Sequence, residues 1–357
     1  MLCRRLVECL LVSLGCVASG TLECGQRPLT EAEDRGRELY TRMCAVCHGR
    51  DGVGYAADQA TALAHPDFLA SATDAYLQSA IELGRSGTTM SAWSTSRGGP
   101  LSRADVQSVV AYIRTWQHEP SAVLDERPLA GVAVLGETPY AGQCIACHGP
   151  RGVGGPYVRI GNYEFLSSAS NGFLRYAIGR GRSGTKMVGF HQVLGDTAFE
   201  DVVALLRSWQ FPPPTLSPTA RPPAPLGPIP LGPVPLNPRG PPAVGFRPYP
   251  AVASADGVKA QLDRGARMSL LDARAPSDYA SEHIAGAVSV PFYDPDPYMP
   301  SLPRDSWIVC YCACPHAESG QLAQRLMAKG FTKVTVLDEG FGFWRTRKYP
   351  THTGVDP

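Results

Sequence analysis

Met43-Cys44-Ala45-Val46-Cys47-His48-Gly49 returns later in the chain as Gln143-Cys144-Ile145-Ala146-Cys147-His148-Gly149. The match continues downstream. Both copies run on to Gly-Val-Gly, at Gly52–Gly54 and Gly152–Gly154. Gly84-Arg85-Ser86-Gly87-Thr88-Thr89-Met90 is answered by Gly181-Arg182-Ser183-Gly184-Thr185-Lys186-Met187. Val109-Val110-Ala111-Tyr112-Ile113-Arg114-Thr115-Trp116-Gln117 is answered by Val202-Val203-Ala204-Leu205-Leu206-Arg207-Ser208-Trp209-Gln210. Three blocks in one order, at similar spacing, mean an internal duplication. Each copy reads as mostly helical. Helices are predicted over Glu31–Tyr40, Asp74–Leu83 and Arg103–Gln117, the last with Val106, Val109, Val110, Ile113 and Trp116 at helical spacing. Pro139 stands just before Cys144, so the first helix of the second copy is expected to be short or broken.

The chemistry of the repeated motif follows from its spacing. Two thiols three residues apart on one helical turn can each bond a vinyl group of one haem, and the histidine that follows places an imidazole under the iron. The two Cys-x-x-Cys pairs lie too far apart for the halves of a usual zinc ribbon. The remaining cysteines fall into two groups, Cys3, Cys9, Cys16 and Cys24 at the start and Cys310, Cys312 and Cys314 near the end, a distribution unlike a disulfide framework. The expected cofactors are therefore two covalently bound haem c groups, and the expected role is electron transfer.

Across Arg27–Gln210 the chain resembles two fused class I c-type cytochromes. The resemblance implies thioether bonds at Cys44 and Cys47 with His48 as proximal ligand, and the same at Cys144, Cys147 and His148. It implies Met90 and Met187 as the second iron ligands, since both close the shared Gly-Arg-Ser-Gly-Thr-x-Met loop; His65 and His191 are their rivals, and core methionines are the plainer alternative. The metal ligands would be His48, Met90, His148 and Met187. In this family a proline after the motif often lends its carbonyl to the proximal imidazole. Pro156 fits that role, whereas Ala56 stands at the matching place, so the two haems are expected to differ in potential. Trp116 and Trp209 read as core or haem-shielding residues, and Tyr40 and Tyr112 as packing near the first haem.

From Pro212 to Pro250 sixteen of 39 residues are proline. Such a run favours an extended tether that could reach about 120 Å, with a docking ligand as the lesser alternative. Beyond it, Met268–Asp272, Trp307–Cys312 and Lys333–Leu337 read as strands and Gly320–Lys329 as a helix, an α/β pattern. Leu271-Asp272-Ala273-Arg274, His283-Ile284-Ala285-Gly286-Ala287 and Glu339-Gly340-Phe341-Gly342-Phe343-Trp344 resemble signatures of the rhodanese (sulfurtransferase) family. That resemblance implies a nucleophilic Cys312, which would hold sulfane sulfur as a persulfide. The loop Cys312-Ala313-Cys314-Pro315-His316-Ala317 carries no arginine, which weakens the case for thiosulfate as donor. Cys310 reads as structural. Cys314 is read either as a small loop residue or as a resolving thiol that would release sulfide and leave a strained disulfide. His316 is a candidate partner of a thiolate.

The architecture expected is thus multidomain: a signal over 1–25, two mainly α cytochrome c domains at 27–120 and 126–211, a Pro-rich linker at 212–250, and an α/β rhodanese-like domain with a parallel sheet at 251–352. Formal net charge is +1, which gives no case for a nucleic-acid partner. Arg4 and Arg5 before the apolar stretch Leu6–Val17 read as an export signal, with Ala18-Ser19-Gly20 as cleavage region. Ser13-Leu14-Gly15-Cys16 loosely resembles a lipobox, so a lipid or uncleaved anchor is the alternative, and the expected location is periplasmic. Expected partners are redox proteins and small sulfur compounds. The functional alternatives are a carrier coupled to sulfur chemistry, a cytochrome whose rhodanese domain only docks, and a sulfurtransferase whose haems sense redox state.

Overall fold

The computed structural model describes residues 27–57, 59–210, 229, 231–313 and 316–357. Residues 1–26, where an export signal is expected, with their four cysteines, and the loop residues Cys314 and Pro315 lie outside the described residues. Among the described residues no helix is long and apolar enough to cross a membrane.

The first helical unit contains α1 (Glu31–Leu39), α2 (Ala45–His48), α3 (Pro66–Ser71), α4 (Asp74–Leu83) and α5 (Arg103–Arg114). The second contains α6 (Glu137–Gln143), α7 (Ile145–His148), α8 (Tyr163–Ser168), α9 (Asn171–Arg180) and α10 (His191–Ser208), which breaks at Gly195. Side-chain oxygens start the helices where the sequence offers them: Thr30 and Glu33 form a capping box on α1, and Ser102 and Asp105 form one on α5. Pro139 sits in the first turn of α6, where its missing N–H has no intrahelical partner to lose, so the helix is short rather than broken.

The two units repeat each other in their hydrogen bonds. Tyr40 Oη donates to Gly49 O at 2.7 Å, and Tyr140 Oη to Gly149 O at 2.8 Å. Trp116 meets the Tyr40 ring edge-on at 5.1 Å, and Trp209 meets Tyr140 at 5.0 Å. Arg114 donates to Leu69 O and Ala72 O at the end of α3, while Arg207 donates to Leu166 O and Ala169 O at the end of α8. Each of these four carbonyls sits in a last helical turn with no intrahelical donor, so a guanidinium fork satisfies two at once. Gly36 and Gly136 hold matching places as well. A Cβ on Gly36 would lie 1.9 Å from Ser108 O of α5, and one on Gly136 would lie 2.3 Å from Asp201 O of α10.

The α/β unit is built on a five-stranded parallel sheet in the order β1-β6-β5-β2-β4. Its elements are β1 (Val252–Ala253), α11 (Ala255–Asp263), β2 (Met268–Asp272), α12 (Pro276–Ser281), β3 (His283–Ile284), β4 (Val288–Ser289), β5 (Trp307–Tyr311), α13 (Ala317–Ala328), β6 (Val334–Leu337), α14 (Gly340–Thr346) and β7 (Thr351–His352). β2 and β6 are buried along their whole length, as a parallel strand covered by helices on both faces must be. β3 and β7 pair antiparallel outside this sheet. Cys312 falls one residue beyond β5 rather than inside it, and α13 starts three residues before the predicted Gly320.

The proline-rich segment departs from a free tether. Its second half packs on the α/β unit: Leu236 and Met268 exchange backbone hydrogen bonds, Tyr249 N donates to Val334 O at 2.8 Å, and Phe246 meets Trp307 at 5.6 Å. Val234 and Ala243 are buried. The scattered apolar residues between the prolines supply this adhesion, which composition alone does not reveal. The first helical unit also meets the α/β unit directly, through α2 against α13 and through Ser91 and Trp93.

Adding a methyl at either matched glycine forces backbone apart, since the contact in each case is a carbonyl that cannot rotate away. Gly36→Ala and Gly136→Ala are each expected to lower stability by about 1–3 kcal/mol, read as a shift in the denaturant midpoint of helical circular dichroism.

Candidate functional site

The two helical units share one cavity of about 810 Å³. Cys44, Cys47, His48 and Met90 line it from the first unit, and Cys144, Cys147, His148 and Met187 from the second. The imidazoles are oriented alike. His48 Nδ1 lies 2.8 Å from Thr61 O, and His148 Nδ1 lies 2.9 Å from Val158 O. A carbonyl can only accept, so Nδ1 carries the proton and Nε2 keeps its lone pair for a metal. Burial lowers the His48 pKa, which keeps the ring neutral and able to ligate. The carbonyl expected from Pro156 therefore comes from Val158, and the first unit supplies an equivalent one from Thr61. Both imidazoles are oriented, and the expected contrast through Pro156 and Ala56 is absent.

The methionine loops superpose bond for bond. Arg85 N donates to Met90 O at 2.8 Å and Arg182 N to Met187 O at 2.6 Å. Met90 N and Met187 N each donate to a threonine Oγ1 at 3.1 Å, that of Thr88 and that of Thr185. Each loop is also gripped by the other unit. Ser86 N bonds Glu164, and Asn162 Nδ2 donates to Ser86 O at 2.5 Å. In return Ser183 N donates to Asp67 Oδ2 at 2.7 Å, and His65 Nε2 donates to Ser183 O at 3.0 Å. His65 also accepts from Asp67 N through Nδ1, so both of its ring nitrogens are engaged in this clasp rather than offered to a metal. His191 pairs with Asp196 and does not line the cavity.

The walls suit a haem. Burial pushes the Cys44 thiol up to about 12 and the Cys144 thiol to about 11, which keeps both sulfurs as neutral thiols. Among the described residues no three His, Cys, Asp or Glu side chains converge as a metal site of their own. The charged side chains on the cavity are Arg85, Arg159, Arg182 and Lys186 against Glu318 alone, a cationic lining that matches the carboxylates a haem carries. Arg85 and Arg182 belong to the heptapeptide that marked the repeat, so this part of the lining was visible in the sequence.

In the α/β unit, Cys312 is buried at the end of β5, its Sγ 3.3 Å from Ser319 Oγ in the first turn of α13. A hydroxyl and the positive end of a helix both favour sulfur as thiolate. Phe341 N donates to Cys312 O at 2.8 Å and fixes the backbone there. His316 adopts a left-handed conformation at the N-cap of α13, and its Nε2 lies 2.9 Å from Asp338 Oδ1. The structure thus joins His316 to Asp338 rather than to the sulfur. Cys310 is buried in β5 beside Leu271 and Val336, and burial pushes its thiol far up.

Four carboxylate and guanidinium groups, none of them given a role from the sequence, interact with one another by the start of α13. Arg274 and Asp272 form a buried ion pair at 2.6 Å, with the guanidinium 4.3 Å from the centre of the Phe341 ring. Glu318, 6% exposed, lines the haem cavity from the start of α13; burial pushes its carboxyl well above the usual range, and Cys312 adds to the shift. Burial likewise raises Asp278, against the pull of Arg274. An acidic residue in the first turn of a helix is the one signal that could have marked Glu318.

Residues 254–347 match the rhodanese-like domain family. Residues 31–113 match the family of cytochrome C oxidase, cbb3-type, subunit III. A thiosulfate sulfurtransferase GlpE of Pseudomonas fluorescens is 32% identical over 96 residues, which is 27% of this chain and 85% of that protein. The chain belongs to the rhodanese-like family. A second GlpE, of Pseudomonas entomophila, is 33% identical over 87 residues, 24% of this chain and 75% of that one. The solution structure of the rhodanese-like domain of Anabaena Alr3790 is 30% identical, covers 29% of this chain and 80% of its own, and has a TM-score of 0.28. The rhodanese-like domain is thus joined in one chain to a cytochrome c domain, and the latter implies covalently bound haem c.

Removing one member of a buried ion pair strands the other charge away from water. Asp272→Ala should destabilise the rhodanese-like domain by about 3–5 kcal/mol, measured as a lower unfolding midpoint, while Asp272→Ala combined with Arg274→Met recovers part of the loss.

Proposed function

We propose that this protein is an exported dihaem electron carrier, with two cytochrome c domains joined through a proline-rich connection to a rhodanese-like domain that binds sulfane sulfur on Cys312. The observation that carries this reading is the single cavity onto which both Cys-x-x-Cys-His motifs, Met90, Met187 and the start of α13 all open. Cys44 and Cys47 would hold one haem with His48 and Met90 as iron ligands, and Cys144 and Cys147 the other with His148 and Met187. Haem bound there supplies a one-electron couple whose potential its axial ligands set. The chain contributes the rest. Thr61 and Val158 carbonyls fix the imidazoles, the Gly-Arg-Ser-Gly-Thr loops present the thioethers, and the arginines balance the carboxylates.

At the sulfur site, the Cys312 thiolate attacks the outer sulfur of a persulfide or polysulfide donor. A new S–S bond forms at Cys312, the donor's S–S bond breaks, and the electron pair leaves on the donor remainder. Ser319 and the start of α13 stabilise the anion before and after the transfer. With Cys314 as resolving thiol, attack on the Cys312 persulfide releases sulfide and closes a disulfide, a couple that moves two electrons. Two haem sites together hold two, which is the reason to join the modules. The redox partners are proteins on either side of this exchange. Arg4, Arg5 and the apolar run after them support a periplasmic location, with anchoring through Cys16 as the alternative.

A docking-only rhodanese-like domain is the second reading. It draws on the complete burial of Cys312 and on the absence of arginine from its loop. Three measurements decide. The full chain should carry two haems that survive denaturing electrophoresis, and Cys44→Ala with Cys47→Ala should leave one. Cyanide-dependent sulfur transfer from polysulfide should fall to background in Cys312→Ser; no transfer by the unaltered chain supports docking alone. The two electrons that return the disulfide to the dithiol would come from the reduced haems, so oxidation of ferrous haem by polysulfide should be lost in Cys312→Ser, and an unchanged rate would end the coupling.

A further inference from the structure

Ser91, Ala92 and Trp93 follow Met90 directly, and all three are held by the rhodanese-like domain. Ser91, only 4% exposed, donates through Oγ to Asp278 Oδ2 at 2.5 Å. Ser277 Oγ donates to Ala92 O at 3.0 Å. Trp93 packs on Tyr293, ring centres 5.7 Å apart. The loop returns to its own unit in the same way in both repeats, with Trp93 N donating to Ile81 O at 3.0 Å and Phe190 N to Ile178 O at 2.9 Å. The outer contacts differ. Val188, which stands where Ser91 stands, is 54% exposed.

We infer that Ser277 and Asp278 of the rhodanese-like domain are positioning residues for Met90, clamping its loop so that the first haem site alone is adjusted by the sulfur-binding domain. The inference rests on the proposed ligation of iron by Met90. A thioether is a weak ligand on a long, flexible side chain, so its approach to iron depends on the loop that carries it. Among the bonds that hold the Met90 loop, the Arg85 and Thr88 contacts are shared with its counterpart, whereas the Ser91–Asp278 and Ala92–Ser277 bonds are not. Asp278 in turn interacts with Arg274, Asp272 and Glu318, and Glu318 is the member of that group that feels the Cys312 sulfur. The clamp therefore joins the sulfur site to one of the two haem sites. It also supplies the inequivalence that Pro156 does not.

The test uses the full chain with haem in place. Spectroelectrochemical titration resolves two components, and Met187→Ala identifies the second-site component by moving it. Ser91→Ala removes one hydroxyl from the helical side and leaves the α/β core untouched. It should weaken the sulfur-to-iron charge-transfer absorption and lower the midpoint of the first component, with the other unmoved. Asp278→Ala should reproduce that shift from the opposite side of the contact, and the double variant should go no further than either single one. Asp278→Asn, which keeps an oxygen acceptor for Ser91, should stay near the unaltered chain. If Ser91→Ala and Asp278→Ala leave both midpoints and the absorption in place, or move both components alike, the clamp is overturned. If Met90→Ala leaves the spectrum unchanged, Met90 is no ligand, a separate result that removes the clamp's basis.

Discussion

The clasp between the two helical units is the constraint on which the haem cavity depends. Asp67 receives the Ser183 backbone and Glu164 receives that of Ser86, so each unit holds the other's methionine loop. Tyr76 and Phe173 stack across the same boundary at 4.7 Å. Arg85 lies over Tyr76 and Phe165, and Arg182 over Phe68 and Phe173, so each guanidinium touches aromatic rings of both units. Charge-assisted hydrogen bonds to backbone N–H groups are directional and strong when partly shielded. They fix the rotation of one unit against the other more tightly than apolar packing alone would. Two separate pockets become one because the clasp faces the motifs toward each other.

The surroundings of Cys312 obey a different constraint. Glu318, which feels the Cys312 sulfur, also interacts with Asp272, Asp278 and Arg274. Three carboxylates would oppose a thiolate if all were ionised. Burial keeps Glu318 and Asp278 toward their neutral forms, while Asp272 is matched by Arg274. The polar group under the cysteine thus avoids excess negative charge through desolvation rather than through added cations. This arrangement is compatible with a loop that lacks arginine.

Much of this was legible in the letters, and the failures share a cause. The attachment motifs, the methionine loops and the helix Asp74–Leu83 are patterns of side chains, which sequence records. The carbonyls that orient His48 and His148 are backbone atoms of Thr61 and Val158, and any residue can supply them. The clasp was hidden because His65-Pro66-Asp67 and Asn162-Tyr163-Glu164 share no letter, although an acid and a side-chain cap do the same work in both. The proline-rich segment misled in the opposite way. Its composition describes a local backbone preference, whereas Val234, Leu236, Ala243 and Phe246 anchor it by tertiary contact.

That anchoring shortens the true connection between the modules. With residues 231–250 fixed to the rhodanese-like domain, only about twenty residues separate the end of the second helical unit from the first anchored position, a contour of at most about 70 Å. Ends joined by so short a chain meet at an effective concentration in the millimolar range. Contacts as few as Ser91–Asp278, Ala92–Ser277 and Trp93–Tyr293 need then supply little affinity of their own. An interface of that kind can part and re-form without the modules ever becoming strangers in solution.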